Sequence, residues 1–290
     1  MTTYETAEDK FVTIHGIKHA YRQFGQTSGT PLFLHVHFRG NMDWWDPVFV
    51  NDLAARRPIL LVDNTGVGRS EGEVGTMFAA WAQTIIDVAA ALEIPKLDVL
   101  GFSMGGFVAQ RMALQAPSLV RRLVVAGAGP SAGEGVVGGD PKHFTEVASA
   151  ATPGESNLGL MHTFFSPSAA KQALAASWIE RMEKSRAHRA PLLDAAGTSR
   201  QIAAVQRWFS GEFRDEGAFD QLDQLAATPT LVANGSNDLL VPTENSIVLW
   251  RRLTAGGCDA SLHLYPDSGH GFLDEYNTHF ARLVNDFLDE

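Results

Sequence analysis

The sequence predicts an α/β protein with a mostly parallel sheet that is covered by helices on both faces. Short continuous apolar runs, typical of strands buried on both sides, alternate with segments whose apolar residues recur at helical spacing. One of these runs leads through a Gly-x-Ser-x-Gly turn directly into a helical segment. A long stretch of helical pattern without a buried strand then interrupts the alternation, which resumes near the C-terminal end. These observations indicate an α/β core that carries a helical insertion.

The elements of the predicted core follow in order along the chain. Residues 10–25 alternate in polarity around His15-Gly16 and predict a β-hairpin. The other strands are predicted at 32–36, 58–62, 97–102, 119–126, 228–233 and 260–265. The helices are predicted at 47–56, 77–93, 107–115, 243–253 and 272–288. Asp46 suits the N-cap of the first helix and Pro47 suits its first turn.

The insertion is predicted to be a helical cap of residues 131–225, and the core is predicted to consist of residues 1–130 and 226–290. Four cap helices are expected, at 142–150, 157–165, 168–189 and 199–209. The aromatic residues of this segment are expected either to line an apolar substrate cavity or to pack the cap helices against one another. They are Phe164, Phe165, Trp178, Trp208, Phe209 and Phe213.

Composition and charge limit the classes of partner. The chain has 290 residues, of which 45% are hydrophobic, and a net charge of −10. This acidic balance argues against binding to nucleic acids and to anionic membrane surfaces. No apolar run approaches the ~20 residues that a transmembrane helix needs. We therefore expect no nucleic acid and no membrane as partner, but a small apolar molecule, and the sequence leaves a homodimer open.

Cysteine, cofactor and metal chemistry find no support in the sequence. Cys258 is the single cysteine, which excludes an internal disulfide and predicts a reducing, cytoplasmic location. Gly66 and Gly68 follow a predicted strand, but the third glycine of a dinucleotide-binding loop is absent. The histidines of the insertion do not have the spacing of metal ligands. We expect no cofactor and no metal ion.

Ser103 lies at the turn between a predicted strand and a predicted helix. This context, in the pattern Gly101-Phe102-Ser103-Met104-Gly105, is that of a nucleophile elbow. The turn forces the serine towards a positive φ, which is tolerable only where the flanking positions lack bulk. Ser103 is therefore a candidate nucleophile, with the N-terminal N–H groups of the following helix beside it.

Asp238 and His270 follow two later strands and complete a candidate triad with Ser103. The loops at the carboxyl ends of parallel strands converge at one edge of the sheet. The chain order Ser, Asp, His is that of α/β-hydrolases and not that of the two serine protease types. Asp267 competes with Asp238 as the acid, but Asp238 is preferred because its loop follows a strand and precedes a helix.

Over nearly its whole length the chain resembles the α/β-hydrolase fold superfamily, and in particular serine hydrolases with a helical cap. The resemblance rests on the N-terminal hairpin, Asp63-x-x-Gly66-x-Gly68-x-Ser70, the elbow, Asn234-Gly-Ser-Asn-Asp238 and Gly269-His270-Gly271. It implies an eight-stranded, mostly parallel sheet. It also implies that Ser103 is the nucleophile, that His270 is the general base and acid, and that Asp238 orients His270.

The resemblance further implies an oxyanion hole formed by the backbone N–H groups of Phe38 and Met104. Phe38 stands where the family usually has glycine, in His37-Phe38-Arg39-Gly40, and its ring is expected at the pocket wall. A second register, which starts at His35-Val36, is the alternative. The side chains expected to line the substrate pocket are Phe38, Trp178, Trp208, Leu239 and Phe272.

The expected activity is hydrolysis of an ester or lactone of a small to medium apolar substrate through an acyl-enzyme on Ser103. A serine at the elbow argues against the family members that use an aspartate nucleophile, such as haloalkane dehalogenases and epoxide hydrolases. A C–C bond hydrolase or a cofactor-independent perhydrolase with the same triad is the enzymatic alternative. The alternative of another class is a non-catalytic ligand receptor on the same fold.

Overall fold

A computed structural model describes residues 2–290 and contains the predicted eight-stranded sheet. The strands lie in the order β1-β2-β4-β3-β5-β6-β7-β8. The first two strands pair antiparallel with each other, and β2 pairs antiparallel with β4, whereas all later pairs are parallel. The strands are β1 (Lys10–Ile14), β2 (Ile17–Gly25), β3 (Leu32–His35), β4 (Pro58–Val62), β5 (Leu97–Phe102), β6 (Val120–Ala126), β7 (Thr230–Gly235) and β8 (Ala260–Tyr265). The predicted fold class is confirmed.

Helices cover both faces of the sheet, and two hydrophobic clusters fill the space beneath them. On one face α1 packs on α10, where the rings of Phe49 and Phe280 stack with centroids 5.5 Å apart. On the other face α2, α3 and α8 cover the second cluster. Successive strand residues point to opposite faces, so Leu34 enters the first cluster and Phe33 the second. This explains why the parallel strands are continuous apolar runs. The core helices are α1 (Pro47–Ala54), α2 (Phe78–Ala91), α3 (Met104–Gln115), α8 (Thr243–Ala255), α9 (Phe272–Glu275) and α10 (Asn277–Asp289).

The chain between β6 and β7 is helical and contains no strand among the described residues. Its α-helices are α4 (Pro141–Ser149), α5 (Pro153–Phe164), α6 (Ala169–Lys184) and α7 (Ala195–Trp208), and two 3-10 helices, Gly211–Glu216 and Phe219–Leu225, follow. We refer to residues 131–225 as the inserted segment.

Two helices of the inserted segment begin four residues earlier than the sequence predicts. At the start of α5, Thr152 and Glu155 form a capping box, in which each side chain accepts a hydrogen bond from the other residue's backbone. At the start of α7, the Asp194 side chain accepts from the N–H of Gly197. These caps stabilise the first turns, which are too polar for the apolar periodicity to reveal. The third helix ends at Lys184, five residues before its predicted end.

Among residues 2–290, no helix combines sufficient length with sufficient apolar character to span a membrane.

Candidate active site

Ser103 lies in a strained turn between β5 and α3. Its φ is 58° and its ψ is −122°, values that a residue with a side chain rarely adopts. The turn is close-packed, because a Cβ atom on Gly101 would lie 2.1 Å from the carbonyl oxygen of Gly105. A Cβ atom on Gly105 would lie 2.1 Å from the carbonyl oxygen of His35. The two glycines therefore allow α3 to start directly against β3 and β5.

The structure brings Asp238 and His270 together. Oδ2 of Asp238 lies 2.6 Å from Nδ1 of His270, and both side chains are buried. The other carboxylate oxygen, Oδ1, accepts hydrogen bonds from the backbone N–H groups of Leu240 and Val241, each at 2.9 Å. Since three hydrogen bonds fix the carboxylate, it can hold the imidazole in one orientation with the proton on Nδ1.

Nε2 of His270 is buried and has no hydrogen-bond partner among residues 2–290. His270 and Ser103 border the same cavity. The ring of His270 packs against those of Phe102 and Phe164, with centroids 5.1 and 5.4 Å away. An imidazole nitrogen without a partner, on a residue that borders the same cavity as a serine, is available to take up and return a proton.

Asp267, the competing acid, forms no hydrogen bond with His270 among the described residues. Its side chain is exposed, and its Oδ1 accepts a weak hydrogen bond of 3.4 Å from the Asn237 side chain. Its backbone carbonyl accepts from the hydroxyl of Ser166. Because Asp238 already occupies Nδ1 of His270, the structure pairs the histidine with the preferred acid and not with Asp267.

Phe38 and Met104 border a second cavity together with Ser103. Neither backbone N–H group donates a hydrogen bond to another described residue. Phe38 lies in a tight turn in which the N–H of Gly40 donates to the carbonyl oxygen of His37 at 3.0 Å. Val36, from the alternative register, borders neither of the two Ser103 cavities. Phe38 and Met104, and not Val36, therefore border a cavity that Ser103 also borders.

The two cavities that Ser103 borders are apolar. Among the described residues, no Lys, Arg, Asp or Glu side chain lines either of them. The inserted segment covers both cavities, to which it contributes Phe144, Val147, Leu160, Phe164, Val205 and Phe209. The remaining lining comes from the core: His37, Phe38, Ser103, Met104, Phe107, Leu240, Val241 and His270.

Four of the five residues that were predicted to line the substrate pocket do not line either of the two Ser103 cavities. Trp178 packs between Phe164 and Phe165, at 5.6 Å from each. Trp208 stacks on Phe107 at 5.2 Å. The two others, Leu239 and Phe272, also do not line these cavities: Leu239 is 45% exposed, and Phe272 stacks on Tyr265 at 5.2 Å. Only Phe38 of the five borders the cavities.

Two buried histidines, His35 at the end of β3 and His37 two residues later, lead into the turn that contains Phe38. Burial lowers the pKa of each to about 4, so both are neutral at physiological pH. For His37, the field of His270 is a smaller contribution to this lowered pKa. Nδ1 of His37 donates to the carbonyl oxygen of Phe38 at 2.9 Å, because a carbonyl can only accept. The side chain thus structures the turn in which Phe38 lies.

Sequence reasoning missed Arg39 and Gln201, which connect this turn to the inserted segment. Gln201 is almost completely buried, and its Oε1 accepts from the backbone N–H of Arg39 at 2.7 Å. The two residues are 162 positions apart, and neither belongs to a local pattern that would have indicated the contact.

Comparison with known proteins agrees with the observed fold. A family model described as alpha/beta hydrolase fold matches residues 30–275, which is most of the chain. The chain belongs to this family. A solved structure of an alpha/beta hydrolase fold protein from Chitinophaga pinensis superposes with a TM-score of 0.86 at 30% identity, with 100% of both chains covered.

Two curated members of the family are similar to this chain over most of their length. The chain is 29% identical over 268 residues to the 2-hydroxymuconate semialdehyde hydrolase of a Pseudomonas species, strain CF600, covering 91% of this chain and 88% of that protein. It is 27% identical over 293 residues to the 2-hydroxy-6-oxo-2,4-heptadienoate hydrolase of Pseudomonas putida, covering 99% of each. These similarities support a hydrolase.

Proposed function

We propose that the protein is a serine hydrolase that cleaves an ester or lactone of a small to medium apolar substrate. The observation that carries this proposal is Nε2 of His270, buried without a partner at the cavity that Ser103 also borders. A receptor would need no unpartnered base beside a strained serine, since both features cost free energy in the folded state.

His270 would move protons in both halves of the reaction. As Oγ of Ser103 forms a bond to the substrate carbonyl carbon, Nε2 accepts the serine proton, and Asp238 stabilises the resulting imidazolium. Nε2 then donates this proton to the leaving alkoxide as the C–O bond breaks, which leaves an acyl group on Ser103. Water attacks the acyl group while Nε2 accepts a proton from it. Nε2 then returns this proton to Oγ of Ser103 as the bond to the acyl carbon breaks and the carboxylic acid is released.

The N–H groups of Phe38 and Met104 would stabilise the oxyanion that forms at each attack. Both N–H groups lack partners among residues 2–290, and both residues border the Ser103 cavity. Donors held in place before the reaction stabilise a developing charge without reorganisation. Met104 begins α3, so the partial positive charge at the helix N-terminus acts in the same direction.

The apolar lining supports an uncharged substrate. A carboxylate or ammonium group inside either Ser103 cavity would lose its hydration without meeting an opposite charge in the lining of that cavity. Phe144, Val147 and Phe209 supply apolar surface from the inserted segment, which we propose acts as a cap, residues 131–225, over a core of 1–130 and 226–290. Exchanging these side chains would change the substrate preference rather than the chemistry.

Hydrolysis of a C–C bond is the second candidate, and the curated relatives favour it. Their names describe hydrolases of a semialdehyde, a dienoate and dienedioates or trienedioates. The same triad would serve, but Nε2 of His270 would return its proton to a carbon of the leaving enolate instead of an oxygen. The lack of a charged side chain in the lining is the reason for preferring esters.

A fluorophosphonate probe and a substrate panel test these proposals. The probe should label the unaltered protein at Ser103, and Ser103→Ala should abolish both labelling and ester turnover. Ser177→Ala, on the exposed side of α6, is the matched control and should change neither. Undiminished turnover by Ser103→Ala would overturn the proposed nucleophile.

The substrate panel distinguishes an ester or lactone hydrolase from a C–C bond hydrolase and from a receptor. It should contain p-nitrophenyl esters of graded chain length, macrocyclic lactones and a β-diketone. Faster cleavage of the diketone than of every ester would favour the C–C hydrolase. Tight binding of a ligand without turnover or labelling would favour a receptor.

A further inference from the structure

The turn of residues 37–40, which carries the proposed oxyanion donor, adopts a conformation that its sequence does not favour. Arg39 has a φ of 60°, although it has a side chain, and the N–H of Gly40 donates to the carbonyl oxygen of His37. A positive φ at the third position of a tight turn is usually supplied by glycine. With arginine there, contacts outside the turn are needed to maintain it.

The peptide bond between Phe38 and Arg39 is fixed at both ends. Its carbonyl oxygen accepts from Nδ1 of His37 at 2.9 Å, within the turn. Its N–H group donates to Oε1 of Gln201 at 2.7 Å, and Gln201 lies on α7 in the inserted segment. A tight turn converts to its commoner form, with negative φ at Arg39, by rotation of this peptide unit. The two hydrogen bonds oppose that rotation.

The Arg39 side chain adds two further connections to the inserted segment. Its guanidinium group donates to the carbonyl oxygen of Val147, in α4, at 2.9 Å and to that of Leu193, before α7, at 3.3 Å. The group is buried and has no carboxylate within ion-pair distance among the described residues. Three separate parts of the inserted segment thus contact one residue of the turn.

We propose that Gln201 is a positioning residue that keeps the N–H of Phe38 directed into the Ser103 cavity, so that the inserted segment completes the oxyanion hole. This inference rests on the proposed function, because it assigns a task to the same site. Loss of the Gln201 acceptor would leave the buried N–H of Arg39 unpaired and remove one of the two restraints on the peptide unit. Rotation of this unit changes ψ of Phe38, so the adjoining peptide unit, which carries the N–H of Phe38, would no longer be held in one orientation.

Three variants of Gln201 test the proposal, each with the turnover of a p-nitrophenyl ester as readout. Gln201→Met removes the acceptor at similar volume. Gln201→Glu keeps an acceptor oxygen at the same reach, and Gln201→Asn withdraws it by one methylene. Gln206→Met, at an exposed position of the same helix, is the matched control. Thermal unfolding midpoints show that each variant is folded.

The expected result is a lower kcat with an almost unchanged KM for Gln201→Met and Gln201→Asn. We expect kcat to fall about 10- to 100-fold, less than the ~10²- to 10³-fold loss on deleting an oxyanion donor, because the donor itself remains. Affinity for an alkyl boronic acid, whose tetrahedral adduct with serine mimics the oxyanion, should weaken by a similar factor. Gln201→Glu should retain most of the activity, and Gln206→Met all of it.

A purely structural role would lower the unfolding midpoint without selectively affecting kcat and boronate affinity. Unchanged kcat in Gln201→Met and Gln201→Asn would overturn the inference, as would a lower kcat at unchanged boronate affinity. If Gln201→Met does not fold, the difference between the Asn and Glu variants decides. Ser103→Ala, measured in parallel, distinguishes failure of the proposed function from failure of the role of Gln201. An active Ser103→Ala refutes the proposed function. An inactive Ser103→Ala beside a fully active Gln201→Met refutes only the role of Gln201.

Discussion

The carboxylate of Asp238 lies 2.6 Å from Nδ1 of His270 and is held from behind by the N–H groups of Leu240 and Val241. The backbone donors use Oδ1, which leaves Oδ2 for the imidazole. Because Oδ2 accepts from Nδ1, the proton of the neutral imidazole lies on Nδ1 and Nε2 is left without one. The relationship gives the first prediction.

Asp238→Asn should lower kcat by about 10³- to 10⁴-fold, because an amide in this position can donate to Nδ1 and favour the wrong tautomer. Steady-state kinetics on a p-nitrophenyl ester would measure it. Asp267→Asn is the matched control, since Asp267 is exposed and does not contact the imidazole. A larger loss for Asp267→Asn than for Asp238→Asn would mean that the acid has been assigned to the wrong loop.

Leu240→Ala should lower kcat/KM for short-chain esters by about 10-fold, because Leu240 borders both cavities next to Ser103 and its loss removes apolar contact. The ratio of long-chain to short-chain activity should rise. Leu239→Ala should stay within about twofold of the unaltered protein, since Leu239 faces solvent. Equal effects of the two substitutions would contradict the observed lining.

Gly105→Ala should destabilise the fold by at least about 3 kcal/mol, because the added methyl group would lie 2.1 Å from the carbonyl oxygen of His35. Urea unfolding followed by circular dichroism would measure the change. Gly154→Ala, near the start of α5, has open space around its Cβ and should change stability by no more than about 1 kcal/mol. A Gly105→Ala protein as stable as Gly154→Ala would show that α3 tolerates displacement from β3.

His35 should make the free energy of unfolding decrease as the pH is lowered, because its pKa is lower in the folded protein than in the unfolded chain. Burial lowers the pKa of His35 to about 4 in the folded protein, against ~6.5 in an unfolded chain. Between these values only the unfolded chain binds the proton, so the free energy of unfolding falls as the pH falls. Lowering the pH from about 7.5 to about 5 should therefore cost about 2 kcal/mol at this residue.

His35→Gln removes that contribution. Between the same two pH values, its free energy of unfolding should fall by about 2 kcal/mol less than that of the unaltered protein. Comparing the two proteins cancels the titration of all other groups. Parallel pH dependence of the two proteins in urea unfolding would contradict the lowered pKa.

Much of the fold and three residues of the candidate site, Ser103, Asp238 and His270, could be predicted because the sequence patterns that indicate them are local. The glycines around Ser103 report the sharp turn, and the apolar strands before Asp238 and His270 place their loops at one edge of the sheet. Phe38 and Met104 are expected from the resemblance to the α/β-hydrolase family. The inferences for Ser103, Asp238 and His270 need only a strand, the residues after it and the rule that parallel strands end together.

The pocket wall could not be predicted, because it depends on how the helices of the inserted segment are rotated over the sheet. Trp208 faces Phe107, while Phe209 reaches the cavity, and Leu240 rather than Leu239 borders it. A shift of one residue along the chain decides whether a side chain borders the cavity or points away from it. The aromatic content of the segment is the same in either case. The contact of Gln201 with Arg39 depends on this packing too, so no sequence pattern marks it.

The inserted segment leaves the sheet after β6 and returns at β7, and these two strands are neighbours. Since both of its ends meet at one place, such an insertion could be exchanged between relatives without disturbing the strand order. In this protein a chimera of that kind would keep Ser103 and His270 but lose the acceptors for Arg39. A foreign insertion would have to bring its own partners for the turn, so piecemeal replacement of side chains is the simpler route by which this scaffold can acquire new substrates.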